Sequence, residues 1–198
     1  MEERPSSKES IMGAKELANY TYEEYLQIDA STPENERYEL IFGHIYMMSG
    51  ASAVHQDIVL NIAYILKELQ NETKCLPRVA PFDLKIECQG TTNVVQPDIM
   101  LFCHDKNLPC AVFEVLSPST AYKDKTVKKD LYELCGVQNY FIVDPEAKTI
   151  DKFLLEDGHY TYVGCFGLPD DMMVECFGKE LEVARLFDEA KPKEDSDE

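Results

Sequence analysis

Two carboxylates stand inside apolar, strand-like runs: Asp98 within Val94–Phe102, and Glu114 within Val112–Leu116. A charge at a core-like position is costly unless it is paired, hydrogen-bonded or bound to a metal. The stretch His104–Leu108 between the runs is polar and turn-like, which predicts an antiparallel hairpin. A hairpin centred on Lys106 sets Asp98 directly opposite Glu114, with Cβ atoms roughly 4.5–5.5 Å apart. Carboxylates that close repel, so one would keep its proton unless a cation lay between them. Mg²⁺ (or Mn²⁺) suits such a site, because Mg²⁺ binds through one or two carboxylates and keeps several waters. A register shifted by one residue would put the two acids on opposite faces; the alternative to a metal site is a pair of ordinary edge-strand acids facing water.

Other side chains are candidates for the same site. Lys125, Lys128 and Tyr132 have the i, i+3, i+7 spacing that shares one helix face. If that face turns back over the acids, a lysine there could position a water and stabilise a pentavalent phosphate. The alternative is a solvated basic face. Glu39, between Tyr38 and Leu40, is either a third carboxylate reaching the metal or a strand-edge acid. His55 falls in the first turn of a long helix, where it could touch a phosphate or carry a proton, or simply pack. Gln96, two residues before Asp98, is expected on the same face. Ser117 and Ser119 have no evident His/Asp relay, which argues against a serine nucleophile.

The elements that must carry these residues follow from periodicity. A short helix is expected at Tyr22–Ile28, with Thr21 as its N-cap. Tyr38–Ile41 and His44–Met48 read as a hairpin about Phe42-Gly43. Val54, Ile58, Ile62, Ile65, Leu66 and Leu69 have the helical period across 53–71. Extended chain near 76–87 precedes the Asp98 and Glu114 strands. A helix is expected at 123–134, ending at Gly136, then a buried strand at Tyr140–Val143. A last hairpin is expected about Asp157-Gly158. The order indicates a mixed α/β domain around a central sheet. Residues 1–15 are expected to be disordered, 16–187 to form one domain, and 188–198 to be an acidic, solvated tail.

Composition narrows the class. The 198 residues have a formal net charge of −18 and are 44% hydrophobic, a globular rather than a disordered balance. The acidic excess argues against a generic nucleic-acid-binding surface, although Lys123, Lys125, Lys128 and Lys129 form one local basic patch. No apolar run reaches the length of about 18 residues that a membrane helix needs, and no export signal is evident. The expectation is therefore no membrane association and a cytoplasmic location. Seven scattered cysteines without a C-x-x-C pair fit unpaired thiols there. Cys103, His104 and Cys110 match no usual zinc spacing, so no zinc site is expected.

Glu-Leu-Ile-x-Gly at 39–43, His55 opening a helix, Gln-Pro-Asp at 96–98 and Glu-Val-Leu-Ser-Pro-Ser-Thr at 114–120 occur in that order. Asp124…Lys128…Tyr132, Gly136-Val137 and Val143-Asp144-Pro145 follow. Together they resemble the Uma restriction-endonuclease family within the PD-(D/E)XK nuclease superfamily, over about Tyr20 to Phe187. The resemblance implies a restriction-endonuclease-like fold: a central mixed sheet flanked by helices, with an added N-terminal hairpin. It also implies metal-dependent hydrolysis of phosphodiester bonds in DNA. Asp98 and Glu114 match the superfamily's metal-binding acids, and Glu39 the acid from an earlier element. Homodimers are frequent in the family, so a homodimer is expected. One departure stands out: the superfamily pattern has a lysine two residues after the second acid, and here that residue is Leu116. Lys128 matches the family's own lysine position. The rival expectation is a nuclease-fold protein that no longer cuts and serves as a binding or assembly module. A glycosidase acid pair is disfavoured, since the chain has no tryptophan to stack a sugar.

Overall fold

The computed structural model describes residues 19–33 and 36–187. The expected disordered segment 1–15 and the tail 188–198 lie outside the described residues. The chain begins with α1 (Tyr22–Ser31), the hairpin β1 (Tyr38–Ile41) and β2 (His44–Met47), and α2 (Ala53–Leu69), which runs on into a 3₁₀ turn. Strands β3 (Leu76–Val79), β4 (Leu84–Cys88), β5 (Thr91–Val95), β6 (Ile99–Phe102) and β7 (Ala111–Val115) follow. One helical stretch is built of α3 (Ala121–Lys123), a π-helical segment (Asp124–Lys128) and α4 (Lys129–Cys135). It leads to β8 (Asn139–Asp144), β9 (Thr149–Glu156), β10 (His159–Phe166), β11 (Asp171–Val174), β12 (Lys179–Glu182) and α5 (Val183–Leu186).

Local chemistry accounts for several boundaries. Thr21 and Glu24 form a reciprocal capping box at the start of α1. Phe42 and Gly43 both have positive φ, the conformation that a tight two-residue hairpin of the right twist requires. Gly136, at φ +87°, closes α4 in the left-handed conformation.

The strands form a six-stranded sheet in the order β10-β9-β8-β7-β6-β3, a four-stranded sheet β2-β1-β5-β4, and the two-stranded β11-β12. In the large sheet β7 and β8 pair in parallel and the other neighbours antiparallel. The β6–β7 register pairs Ile99 with Phe113, Met100 with Val112 and Leu101 with Ala111, which is the register of a hairpin centred on Lys106. Alternation along β7 sends Phe113 and Val115 into one core with Ile58, Ile62 and Leu66 of α2. Val112 faces the other way, into a second core with Leu131 and Tyr132 of α4 and with Ile41, Leu84, Ile86 and Val95 of the smaller sheet. Burying each such side chain contributes roughly 1.5–3 kcal/mol. No described helix is long and apolar enough to cross a membrane.

Three sequence expectations need correction. The run Val94–Phe102 is two strands, with β5 in the smaller sheet, β6 in the larger, and Gln96-Pro97-Asp98 passing between them. Pro97 has no N–H for a ladder, which favours a break there. The cysteines are not scattered thiols: Cys75–Cys103, Cys88–Cys135 and Cys110–Cys176 are paired, leaving Cys165 free. The pairs join residues 28, 47 and 66 positions apart, so no local motif marks them. The β11–β12 hairpin was not expected; its signal is the weak alternation of Met172 and Val174, both buried, before Gly178.

Candidate functional site

Asp98 lies just before β6, and Glu114 is the penultimate residue of β7, so both reach the same end of the large sheet. Asp98 Oδ2 accepts the Val115 N–H at 2.8 Å, which ties the first acid to the strand carrying the second. Both line a cavity of about 250 Å³, together with His55, Gln96, Lys123, Asp124 and Lys128.

Glu114 is almost fully buried, and its Oε1 accepts from Lys128 Nζ at 3.0 Å and from the Tyr132 hydroxyl at 2.9 Å. Burial pushes its carboxyl well above the ordinary range, and Asp124, Asp98 and Glu39 push the same way, while Lys128 opposes them. Glu39 in β1 is completely buried. Its Oε1 accepts the Gln96 N–H at 2.9 Å and meets Lys128 Nζ at 3.0 Å, and its Oε2 accepts from Lys123 Nζ at 2.5 Å. Burial alone would raise its pKa, but the charges of Lys128 and Lys123 outweigh burial and hold it below the usual value. Asp124 Oδ1 is buried 3.7 Å from Lys128 Nζ and has no hydrogen-bond partner. Burial raises its pKa, against the pull of Lys128. Desolvation opposes the charge on Lys128, yet Glu114, Glu39 and Asp124 together keep it a cation far above neutral pH.

His55 opens α2 behind the N-cap Ser52, and its Nε2 lies 3.2 Å from Asp98 Oδ2. That hydrogen bond is the main cause of its raised pKa, partly offset by burial. Its Nδ1 is buried without a partner. Ser49, Ser117, Ser119 and Thr120 touch one another through their hydroxyls nearby.

Glu39, Asp98, Glu114, Lys128, His55 and Gln96 are thus brought together. Two residues are placed differently from the shared helix face expected of them. Lys125 is exposed and shares no face with Lys128, because the π-helical turn shifts the register and leaves Asp124 and Lys128 as the inward pair. Tyr132 is completely buried behind Glu114, and its hydroxyl donates to that carboxylate. Gln96 lines the cavity, but its side chain donates to Asp83 Oδ1 at 2.6 Å, and it is its backbone that holds Glu39. Sequence reasoning missed Lys123 and the inward carboxylate of Asp124. The i, i+4 spacing of Asp124 and Lys128 was the available signal for the latter. Leu116, standing where a lysine was looked for, packs against the second core.

Comparison with known proteins bears on the family and the fold. Residues 22–185 match the Uma2 family, described as "putative restriction endonuclease". Two uncharacterized proteins of Synechocystis sp. are similar. One is 31% identical over 144 residues, covering 68% of this chain and 74% of its own. The other is 26% identical over 155 residues, covering 73% and 81%. A crystal structure titled as a "putative nuclease belonging to DUF820", from Anabaena variabilis, superposes with a TM-score of 0.66. It is 19% identical and covers 84% of this chain and 97% of its own, a likeness of fold. With its restriction-endonuclease-like mixed sheet and a family match spanning nearly all of the described residues, the chain belongs to the Uma2 family.

Proposed function

We propose that this protein is a Mg²⁺-dependent (or Mn²⁺-dependent) endonuclease hydrolysing phosphodiester bonds of DNA, with Asp98 and Glu114 as the metal-binding acids. The observation that carries the reading is the charge balance of the cluster. Glu39, Glu114 and Asp124 outnumber the ammonium groups of Lys123 and Lys128 that touch them, and among the described residues Asp98 is paired with His55 alone. The donors are hard carboxylate oxygens beside a cavity, and the excess of negative charge suits a divalent cation. Bound there, the ion would supply Lewis acidity toward the scissile phosphate.

The chain's own residues do the rest. Lys128, fixed between Glu39 and Glu114, presents a permanent cation that can hold an attacking water and offset charge developing on phosphate oxygens. Glu39, held by the Gln96 N–H and by Lys123, fixes Lys128 rather than binding substrate. His55 keeps its proton to higher pH than a free histidine and sets positive charge beside Asp98, where a backbone phosphate would enter. Lys125, exposed beside the site, is available to the DNA backbone. We further propose a homodimer, which light scattering would test, and a cytoplasmic location.

The test is cleavage of single- and double-stranded DNA by the wild type and Asp98→Ala across Mg²⁺ and Mn²⁺ concentrations. Metal-dependent cutting by the wild type alone supports the reading. Equal cutting by both, or none under any condition, overturns it. The second reading, a non-cutting nuclease-fold binding module, draws on Leu116, half-buried against the second core, where the superfamily lysine would stand. It predicts that calorimetry finds no Mg²⁺ binding, or binding that never supports cleavage.

A further inference from the structure

At the opposite end of the same strands, four cysteines gather from four separate places in the fold. Cys75 precedes β3, Cys103 follows β6, Cys110 precedes β7, and Cys176 lies in the turn joining β11 to β12. The sulfurs of Cys103, Cys110 and Cys176 lie within 4.8 Å of one another, and Cys75 is joined directly to Cys103. Among the described residues this is the one group of three or more histidine, cysteine or acidic ligands drawn so close. Asp98 and Glu114 need no such crowding, since Mg²⁺ uses few protein ligands.

We infer that, with its thiols reduced, the chain holds one Zn²⁺ between Cys75, Cys103, Cys110 and Cys176 as a structural tetrathiolate centre. The donor set is all sulfur, which selects zinc over Mg²⁺ or Ca²⁺. Zinc–sulfur bonds of about 2.3 Å in a tetrahedron place the sulfurs about 3.8 Å apart, within the spread of the Cys103, Cys110 and Cys176 sulfurs; Cys75, outside that close group, would turn in once released from Cys103. A sulfide-bridged iron cluster would need a wider cage.

The backbone around the sulfurs is held by other means, so the ligands stay gathered once the sulfur–sulfur bonds are open. Asn139, completely buried at the start of β8, donates its N–H to the Cys110 carbonyl at 2.9 Å. Its side-chain Oδ1 accepts the Cys176 N–H at 3.2 Å, and its Nδ2 donates to Glu175 Oε2 at 2.5 Å. Lys152 Nζ, also buried, donates to the Met173 carbonyl at 2.8 Å and to Glu175 Oε1 at 2.5 Å. Cys110 N–H donates to the Leu101 carbonyl at 2.8 Å, which fixes it beside the end of β6. The centre would therefore staple the β11–β12 hairpin to the edge of the large sheet. Five residues along a strand separate Cys103 from Asp98, about 16 Å, so the staple is remote from the acids.

The chemistry balances as follows. Two equivalents of a dithiol reductant open the Cys75–Cys103 and Cys110–Cys176 bonds, each equivalent giving two electrons and two protons to one bond and itself becoming a disulfide. The four resulting thiols release four protons as Zn²⁺ takes the four thiolates. A cytoplasmic chain would meet such reductants; an exported one would keep the paired sulfurs.

The experiment is to reduce the full chain with a dithiol without oxygen, add Zn²⁺, desalt, and measure zinc per chain by elemental analysis. The background is Asp98→Ala/Glu114→Ala, so that the acidic site contributes nothing and the outcome is independent of nuclease activity. About one zinc per chain is expected, retained in Cys88→Ser and Cys165→Ser and lost in Cys110→Ser and Cys176→Ser. Co²⁺ in place of zinc should give the ligand-field and charge-transfer bands of a tetrahedral tetrathiolate, which decides the matter even if a cysteine variant fails to fold. A reduced chain that stays folded yet retains no zinc overturns the proposal. So does zinc that persists in Cys110→Ser/Cys176→Ser, or a chain isolated with an iron–sulfur chromophore instead.

Discussion

Lys128 Nζ lies 3.0 Å from Glu114 Oε1, and both side chains are nearly shut off from solvent. Removing the cation leaves Glu39, Glu114 and Asp124 buried against one another with only Lys123 at the far oxygen of Glu39. Lys128→Met is expected to cost about 3–5 kcal/mol in urea unfolding, because a buried charge loses its partner. Adding Glu114→Gln to Lys128→Met should recover part of that loss, a coupling that a double-mutant cycle reads directly. Cleavage by Lys128→Met should fall by about 100-fold or more.

Tyr132 supports Glu114 from behind. Tyr132→Phe removes the hydroxyl but keeps the ring packed on Tyr140, so the expected stability loss is about 1–2 kcal/mol. If Glu114 holds the metal as proposed, the Mg²⁺ concentration giving half-maximal cleavage should rise about 10-fold, since that carboxylate has lost the group that orients it. A change in maximal rate with unchanged metal dependence would place Tyr132 elsewhere in the reaction.

The two neighbouring lysines should separate cleanly. Lys123→Ala strips a charged donor from completely buried Glu39 and should cost about 1–3 kcal/mol in denaturant unfolding. Lys125→Ala, at an exposed position, should leave stability within about 0.5 kcal/mol. In a titration of DNA binding against salt, Lys125→Ala should lower the slope by about 0.9, the value of one phosphate contact.

Glu133 supplies an acid-sensitive tie away from the cluster. Its Oε2 accepts the Tyr160 N–H at 2.5 Å, and this bond, more than nearby His159 or Lys129, holds its pKa below the ordinary 4.5. A depressed carboxyl stabilises the folded chain fully above the unfolded value, and the contribution is lost as pH falls through the folded value. Glu133→Gln should therefore cost about 1 kcal/mol near neutral pH and progressively less in acid. Thermal melts of both chains against pH check the convergence.

How much could be read without coordinates differed from place to place. The face-to-face relation of the two acid-bearing strands was legible because the polar loop His104–Leu108 fixes the centre of the hairpin, and the observed pairing of Ile99 with Phe113 has that register. Glu39 was legible only as a misplaced charge; its partners Lys123 and Gln96 lie far along the chain, and no local period reports them. The change of sheets at Pro97 was visible in the proline but masked by the apolar residues on either side. Lys125 was misread because a 3.6-residue period was applied across a π turn, and nothing in that short segment advertises the wider winding. The sulfur pairs, made between residues far apart in the chain, leave no trace in spacing at all.

The parallel pairing of β7 with β8 carries a consequence in time. Its crossover is the helical stretch that brings Lys123, Lys128 and Tyr132 over the acids. Pairings between parallel strands must close a long loop before any contact rewards them, so they are slow to form. Glu39 and Glu114 can sit on their strands early, but their lysines arrive only when this crossover docks. A growing or half-collapsed chain is therefore without its completed cluster, and the chemistry proposed for it is withheld until the molecule is finished.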